Sequence, residues 1–272
     1  MKVLIVVGIA LLLATILICV YRQEFVVFRN DIRLLATYIR MNLPVVIPNR
    51  DQKVTGKVAI VSFDNRSSGS FIELHDQNMY EYCDKWGHEY IRESVKPENV
   101  SVYWYKVQMV YDALMTGMYD YVVWIDSDAI ITDYSRDIFA ILHSYNRDIV
   151  VGSDNTFFDV ANAGVFAIAN TQVGREFVKD WIETIRPYCY KGGDKLRGSW
   201  ALSCYEQGTM NRLIHDKYIG NTATLPLNLI YNGYRTRQCE MEYSDEFIIH
   251  MYGQSDTVRE SCFKKKMEKL KK

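Results

Sequence analysis

The chain lacks any Cys-x-x-Cys pair, any large excess of charge and any repeat, and each absence removes a class of protein. Its six cysteines include Cys83, Cys189, Cys204, Cys239 and Cys262 at wide spacings, so a structural zinc site is not expected. Cys189 and Cys204 are the nearest in sequence. Their separation suits a disulfide in an oxidising compartment or two buried thiols, and the spacing leaves both open. Net charge is −1 and the pI is near 6.5, so no basic field points to a nucleic-acid partner. Proline is scarce, at five residues, while hydrophobic residues make up 49% and aromatics 13%. That much apolar side chain offsets the entropy of ordering and excludes a disordered chain.

Charge is wholly missing from one stretch, VLIVVGIALLLATILICV, between Val3 and Val20. At about 1.5 Å per residue a helix of this length covers most of a bilayer core, so residues 1–20 are expected to form a transmembrane anchor. A cleaved signal peptide is the weaker reading, because no small-x-small site precedes the bulky VYRQEF. Lys2 stands before the segment and Arg22, Arg29, Arg33 and Arg40 after it, a bias that opposes a lumenal C-terminal domain. Residues 21–56, ending in NLPVVIPNRDQKVTG, read as a stem, since proline and glycine discourage regular structure there. Residues 256–272 read as a basic tail, expected as a solvated helix or one lying on anionic lipid. The tripeptides Asn65-Arg66-Ser67 and Asn99-Val100-Ser101 are acceptable glycosylation sites in a secreted domain.

Residues 57–255 alternate between strand-like and helix-like segments, the pattern of one α/β domain with a mixed, mostly parallel central sheet. KVAIVSFD reads as a first buried strand ending at Asp64. Helical segments follow at FIELHDQNMYEYCDKWG and at YWYKVQMVYDALMTGM, which places Tyr103, Val107, Val110 and Leu114 on one face. YVVWIDSDAIITD is the decisive stretch. Five apolar or aromatic residues, Tyr121 to Ile125, stop abruptly at Asp126-Ser127-Asp128, where ligands of open α/β sheets bind. Two carboxylates one residue apart can turn toward the same divalent ion, and hard oxygen ligands suit Mn²⁺ or Mg²⁺. Bridged to a diphosphate, such an ion neutralises charge on a leaving group. A lone Asp-x-Asp is often a solvated turn, and only the buried strand before it favours a site.

WYK ahead of the Asp-x-Asp, YVVWIDSDAIITD, NAGVFAIAN, the acid–Gln pair of YEQGTMNRL and IIHMYGQ occur in an order that resembles glycosyltransferase family 34. That family includes the yeast α-galactosyltransferases and plant xyloglucan xylosyltransferases. The resemblance spans roughly residues 57 to 255. It implies a Rossmann-like GT-A fold, a nucleotide-sugar donor (UDP-galactose, UDP-xylose or GDP-mannose), a glycan acceptor, and transfer that retains anomeric configuration. It implies His250 as the third metal ligand beside Asp126 and Asp128. It implies donor contacts from Lys106, Asp126, Ser127, Asp128, Asn162, Ala163 and Gly164, and catalytic roles for Glu206 and Gln207. From the residues alone, Gly164 admits close backbone approach and Asn162 offers an amide, although a tight turn explains both equally. With the anchor, the resemblance implies a type II membrane protein of the Golgi or a related endomembrane, its domain lumenal. One departure stands out. Family members commonly carry Lys or Arg just after His-x-x-Gly, whereas here Gln254-Ser255-Asp256 follows Gly253, which leaves Arg259 or a tail lysine to substitute. A nucleotidyltransferase and a catalytically silent sugar-binding relative remain as the other two classes.

Overall fold

The computed structural model describes residues 54–66, 70–153, 161–199, 202–225, 229–232, 239 and 246–271, all within a compact unit that runs from Asn42 to Lys272. The expected transmembrane segment, and the stem up to residue 53, lie outside the described residues. Among the described residues no helix is long and apolar enough to cross a membrane.

Strand β1 (Val58–Phe63) leads through α1 (Ser70–Trp86) to β2 (Glu89–Glu93), and α2 (Val102–Met115) leads to β3 (Tyr121–Ile125). A short β4 (Ala129–Ile131) follows the Asp-x-Asp turn. Then come α3 (Ile138–Tyr145), β5 (Ile149–Ser153), β6 (Ala161–Ala169) and α4 (Gln172–Ile182). A small hairpin, β7 (Tyr190–Gly192) and β8 (Lys195–Leu196), precedes α5 (Glu206–Leu213), β9 (Thr222–Leu225), β10 (Ile230–Asn232), β11 (Ile248–His250) and α6 (Asp256–Leu270).

The main sheet has the order β2-β1-β3-β6-β5-β9. Only β6 runs against its neighbours β3 and β5, and the other pairs are parallel, as the alternating segments predict. β1 and β3 are buried along their whole length, the signature of strands covered on both faces. Helix starts are fastened by side chains: Asp137 accepts from the Phe139 amide at 2.8 Å and Thr171 from the Gly174 amide at 3.0 Å. Because β1 lies between β2 and β3, the chain leaves it to one side and returns on the other. The crevice this reversal opens at the carboxyl ends of β1 and β3 is where an open α/β sheet binds ligands.

β4, β10 and β11 form a second sheet, with β11 antiparallel to β4 and parallel to β10. It carries the chain beyond Asp128 and brings His250 back beside it. Under this sheet Phe71, Ile72, Ile130, Ile249, Met251, Phe263 and Met267 form a separate core. Here the expectation of a solvated basic tail fails. Helix α6 buries Cys262, Phe263 and Met267 against α1 and the small sheet, is tied by a Cys239–Cys262 disulfide, and places Lys266 in a buried pair with Glu246 at 2.6 Å. The lysine-rich sequence masks an apolar stripe, so residues 256–270 belong to the domain. A second disulfide joins Cys189 to Cys204, one of the two readings their spacing left open, and Cys83 is a buried free thiol. Tyr103 also departs from expectation. Val107, Val110 and Leu114 are buried, but Tyr103 is 40% exposed at the rim.

Candidate functional site

Strand β3 ends where its apolar run ends, and the Asp126 amide donates to the Gly164 carbonyl at 2.8 Å while the Ala129 amide closes the turn on the Asp126 carbonyl at 2.9 Å. That turn points both carboxylates of the Asp-x-Asp toward β11. His250 Nε2 lies 3.1 Å from Asp128 Oδ1 and 3.8 Å from Asp126 Oδ2. One ligand atom from each of the three residues falls within 4.8 Å of the others, so the sequence-expected triad is brought together. Burial lowers the His250 pKa, but the Asp128 and Asp126 carboxylates outweigh it and hold the imidazole above its ordinary value. Burial pushes Asp128 up, and His250 with Arg259 reverses this, holding the carboxyl well below the usual carboxylate range.

The glycine of Asn162-Ala163-Gly164 has a neighbour that the sequence did not show. A Cβ on Gly164 would lie 2.1 Å from His250 Cε1, so this glycine makes room for the imidazole. The Asn162 side-chain oxygen accepts from the Gly164 amide at 2.7 Å, a local bond near the start of β6. The Ala163 amide donates to Gln207 Oε1 at 3.0 Å. Strand β6 is thereby stitched to the N-terminus of α5.

Lys106 is buried, against the usual habit of helical lysines. Its ammonium lies 3.0 Å from Asp126 Oδ1 and 3.2 Å from Glu206 Oε1, and donates to the Ala163 carbonyl at 3.0 Å. Burial opposes its charge, and the Asp126 and Glu206 carboxylates more than compensate, so it stays above the ordinary lysine range. Glu206 shifts upward, chiefly through burial, with Lys106 opposing. Its Oε2 has no hydrogen-bond partner among the described residues. Asp126 Oδ1 also accepts from Trp124 Nε1 at 2.6 Å.

Several residues that the motifs did not single out complete the crevice. Asp64, directly after β1, accepts from Ser127 Oγ at 2.5 Å and from Arg66 Nε at 2.9 and 3.0 Å. Burial raises the Asp64 pKa, and the hydrogen bonds from Arg66 and Ser127 bring it below its ordinary value. Ser127 thus bridges the two strand ends. On the other flank Arg259 Nη2 is 2.8 Å from Asp128 Oδ2. The Arg66 and Arg259 guanidinium groups both lie over the Phe71 ring, at 4.8 and 5.4 Å from its centroid. A basic group thus stands beside Asp128, reached from α6.

Residues 54–270 match the sequence model of the nucleotide-diphospho-sugar transferase family. Comparison with curated proteins returned no match. Among solved structures, the fold is similar to a glycosyltransferase involved in the glycosylation of the major capsid of PBCV-1, with 15% identity, a TM-score of 0.56, and coverage of 76% of this chain and 98% of that one. It is also similar to the glycosyltransferase GlyE of Streptococcus pneumoniae TIGR4, with 15% identity and a TM-score of 0.51 over 78% of this chain. The chain spans 61% of the length of GlyE. At such identity these two neighbours speak for the fold, a mixed and mostly parallel α/β sheet of the GT-A kind. With a family match over most of its length and an Asp-x-Asp turn at the carboxyl end of β3, the chain belongs to the nucleotide-diphospho-sugar transferases.

Proposed function

We propose that this transferase is a retaining, family 34-like enzyme that moves a hexose or pentose from UDP-galactose, UDP-xylose or GDP-mannose to a glycan hydroxyl. The observation that carries this reading is the clustering of Asp126, Asp128 and His250 within 4.8 Å, with Arg259 beside them. Two carboxylates and an imidazole, with no thiolate near, suit Mn²⁺ or Mg²⁺. These three residues would hold the ion, which when bound supplies positive charge to the leaving diphosphate. Arg259, and Arg66 beside it over the Phe71 ring, add fixed positive charge near Asp128.

Glu206 and Gln207 act on the sugar. Gln207 is a poor nucleophile, which favours a path without a covalent sugar–enzyme intermediate. The acceptor then approaches from the leaving-group side. Its oxygen bonds to the anomeric carbon as the carbon–phosphate oxygen bond breaks, and the departing phosphate takes the hydroxyl proton. Glu206 and Gln207 position the acceptor and stabilise positive charge growing on the sugar.

We also propose a type II topology through residues 1–20 with the domain lumenal, a reading that two disulfides support. The deciding experiment titrates UDP calorimetrically with Mn²⁺ and with chelator, for the parent and for Asp126→Asn and Asp128→Asn. Metal-dependent binding is expected in the parent and absent from both variants, and unchanged binding in both would remove the metal site. The anomeric proton coupling of the first product from an α-linked donor then reads the stereochemistry, and a β-linked product overturns retention.

A further inference from the structure

Beyond the cluster of charged groups, the rim of the crevice carries two aromatic rings with no role in the reading above. Tyr103 opens α2 one turn before Lys106, and Tyr205 directly precedes Glu206. Their ring centroids are 4.9 Å apart with planes at 65°. Tyr103 is 40% exposed and Tyr205 partly exposed, so neither is spent in the core. Leu202 beside them is 57% exposed.

The backbone beneath these rings is held from three directions. Trp104 Nε1 donates to the Cys204 carbonyl at 3.0 Å, the Cys189–Cys204 disulfide ties the same turn, and Trp181 Nε1 donates to the Glu206 carbonyl at 2.9 Å. The Glu206 carboxylate adds to burial in keeping the Tyr103 hydroxyl protonated. Rigid aromatic faces of this kind offer contact area at low entropic cost.

Contacts link the charged groups of the site one to the next. Arg259 lies on Asp128 at 2.8 Å, His250 spans Asp128 and Asp126, Lys106 spans Asp126 at 3.0 Å and Glu206 at 3.2 Å, and the tyrosines follow Glu206. A diphosphate belongs at the Arg259 end, where the positive charge and the metal-binding residues are. The nucleoside then lies further out on that side and the transferred sugar near Glu206. What meets the tyrosines is the molecule arriving at the sugar. We infer that Tyr103 and Tyr205 form the acceptor platform, which holds a pyranoside through C–H contacts from its apolar face to the rings and leaves a hydroxyl toward Glu206. This rests on the glycosyltransferase reading given above and names its acceptor subsite.

Saturation-transfer NMR on the full-length chain tests it, with UDP and Mg²⁺ present and methyl glucosides, galactosides and xylosides of both anomers as probes. On irradiation of the aromatic protons, the ring protons of at least one pyranoside are expected to receive saturation in the parent. That transfer should fall about fivefold or more in Tyr103→Ala and in Tyr205→Ala, the size that a lost aromatic contact brings. It should persist in Tyr103→Phe and Tyr205→Phe, which keep the ring. The uracil protons of UDP show in the same spectra that each variant still folds and binds nucleotide. Uracil signals without any pyranoside signal overturn the platform, as do pyranoside signals that survive both alanine variants or disappear in the phenylalanine ones. A parent that gives neither uracil signals nor, with GDP in place of UDP, guanine signals defeats the functional reading itself.

Discussion

At the scale of single residues, the site is governed by close approach and by charge compensation in a dry environment. Gly164 shows the first. Adding one methyl group there requires His250 to move, since the nearest ring atom would be 2.1 Å away, and overpacking of this kind costs about 1–3 kcal/mol. Gly164→Ala is therefore expected to weaken metal-dependent UDP binding by roughly tenfold while its far-UV circular dichroism stays that of the parent. Unchanged affinity in calorimetry would show that His250 does not need its present position. Lys106 shows the second. Removing its ammonium leaves the buried Glu206 carboxylate without its partner, and breaking one side of a buried pair costs about 3–5 kcal/mol. Lys106→Met should thus lower urea-unfolding stability by several times more than the double variant Lys106→Met/Glu206→Gln, which removes both charges. Equal losses in the two would mean that the pair is not coupled. These residues differ in how readable they were. Asp126 and Asp128 stand out because an acidic turn interrupts an apolar run, whereas His250 was marked only by the family resemblance. The partner of Gly164 could not be read, because the contact joins β6 to β11, some 90 residues apart in sequence.

At the scale of elements, strands and helices with strong periodicity were legible, and their edges and partners were not. The strands β1 and β3 and the helix α2 fall where continuous apolar runs and a 3.6-residue repeat put them. By contrast β11 is only three residues long, because pairing with β4 and β10 sets the length of a strand in a small sheet. Helix α6 was the clear failure. Its lysines dominate the composition, whereas Cys262, Phe263 and Met267 recur on one face and decide where it sits. The position of this helix has a chemical consequence, since it delivers Arg259 to Asp128. Closing a chain segment of this size by a disulfide contributes roughly 3 kcal/mol in the chain-entropy view. Cys239→Ser/Cys262→Ser is accordingly expected to speed amide hydrogen exchange across α6 while β1, β3 and β6 keep their protection. It should also weaken UDP binding, because Arg259 is no longer held at the crevice. Exchange that rises evenly across the molecule would refute a local role for this bridge.

On the scale of the whole molecule, two sheets must keep a fixed relation, because Asp126 hangs from the main one and Asp128 and His250 from the small one. The alternation of segments announced the main sheet. Nothing in the sequence announced the second, since three strands of three residues each are too short for a periodic signal. The tie between the sheets is a buried histidine. His75 on α1 donates from Nδ1 to the Ala129 carbonyl of β4 at 2.6 Å, and its Nε2 accepts from Ser62 Oγ of β1 at 3.1 Å. The carbonyl can only accept, so Nδ1 carries the proton, and in the neutral ring Nε2 is left as the acceptor. Burial is the main reason why its pKa lies below the ordinary value of 6.5, with the Ala129 bond opposing. A folded-state pKa that is depressed means that the unfolded chain takes up a proton first. The neutral tie therefore stabilises fully above about pH 6.5 and is lost as the pH falls from there toward the lower folded value, by at most about 1.4 kcal/mol per pH unit. His75→Gln keeps one donor and one acceptor without a titrating group. The stability difference between parent and variant, from urea unfolding in chelator, should be constant above pH 7 and should shift in favour of the variant as the pH drops below 6.5. Using the difference cancels the other titrating groups, Asp64 and Asp128 included. A difference that does not change with pH would show that His75 is protonated alike in the folded and unfolded chains, and that the bond joining the two sheets survives the charge.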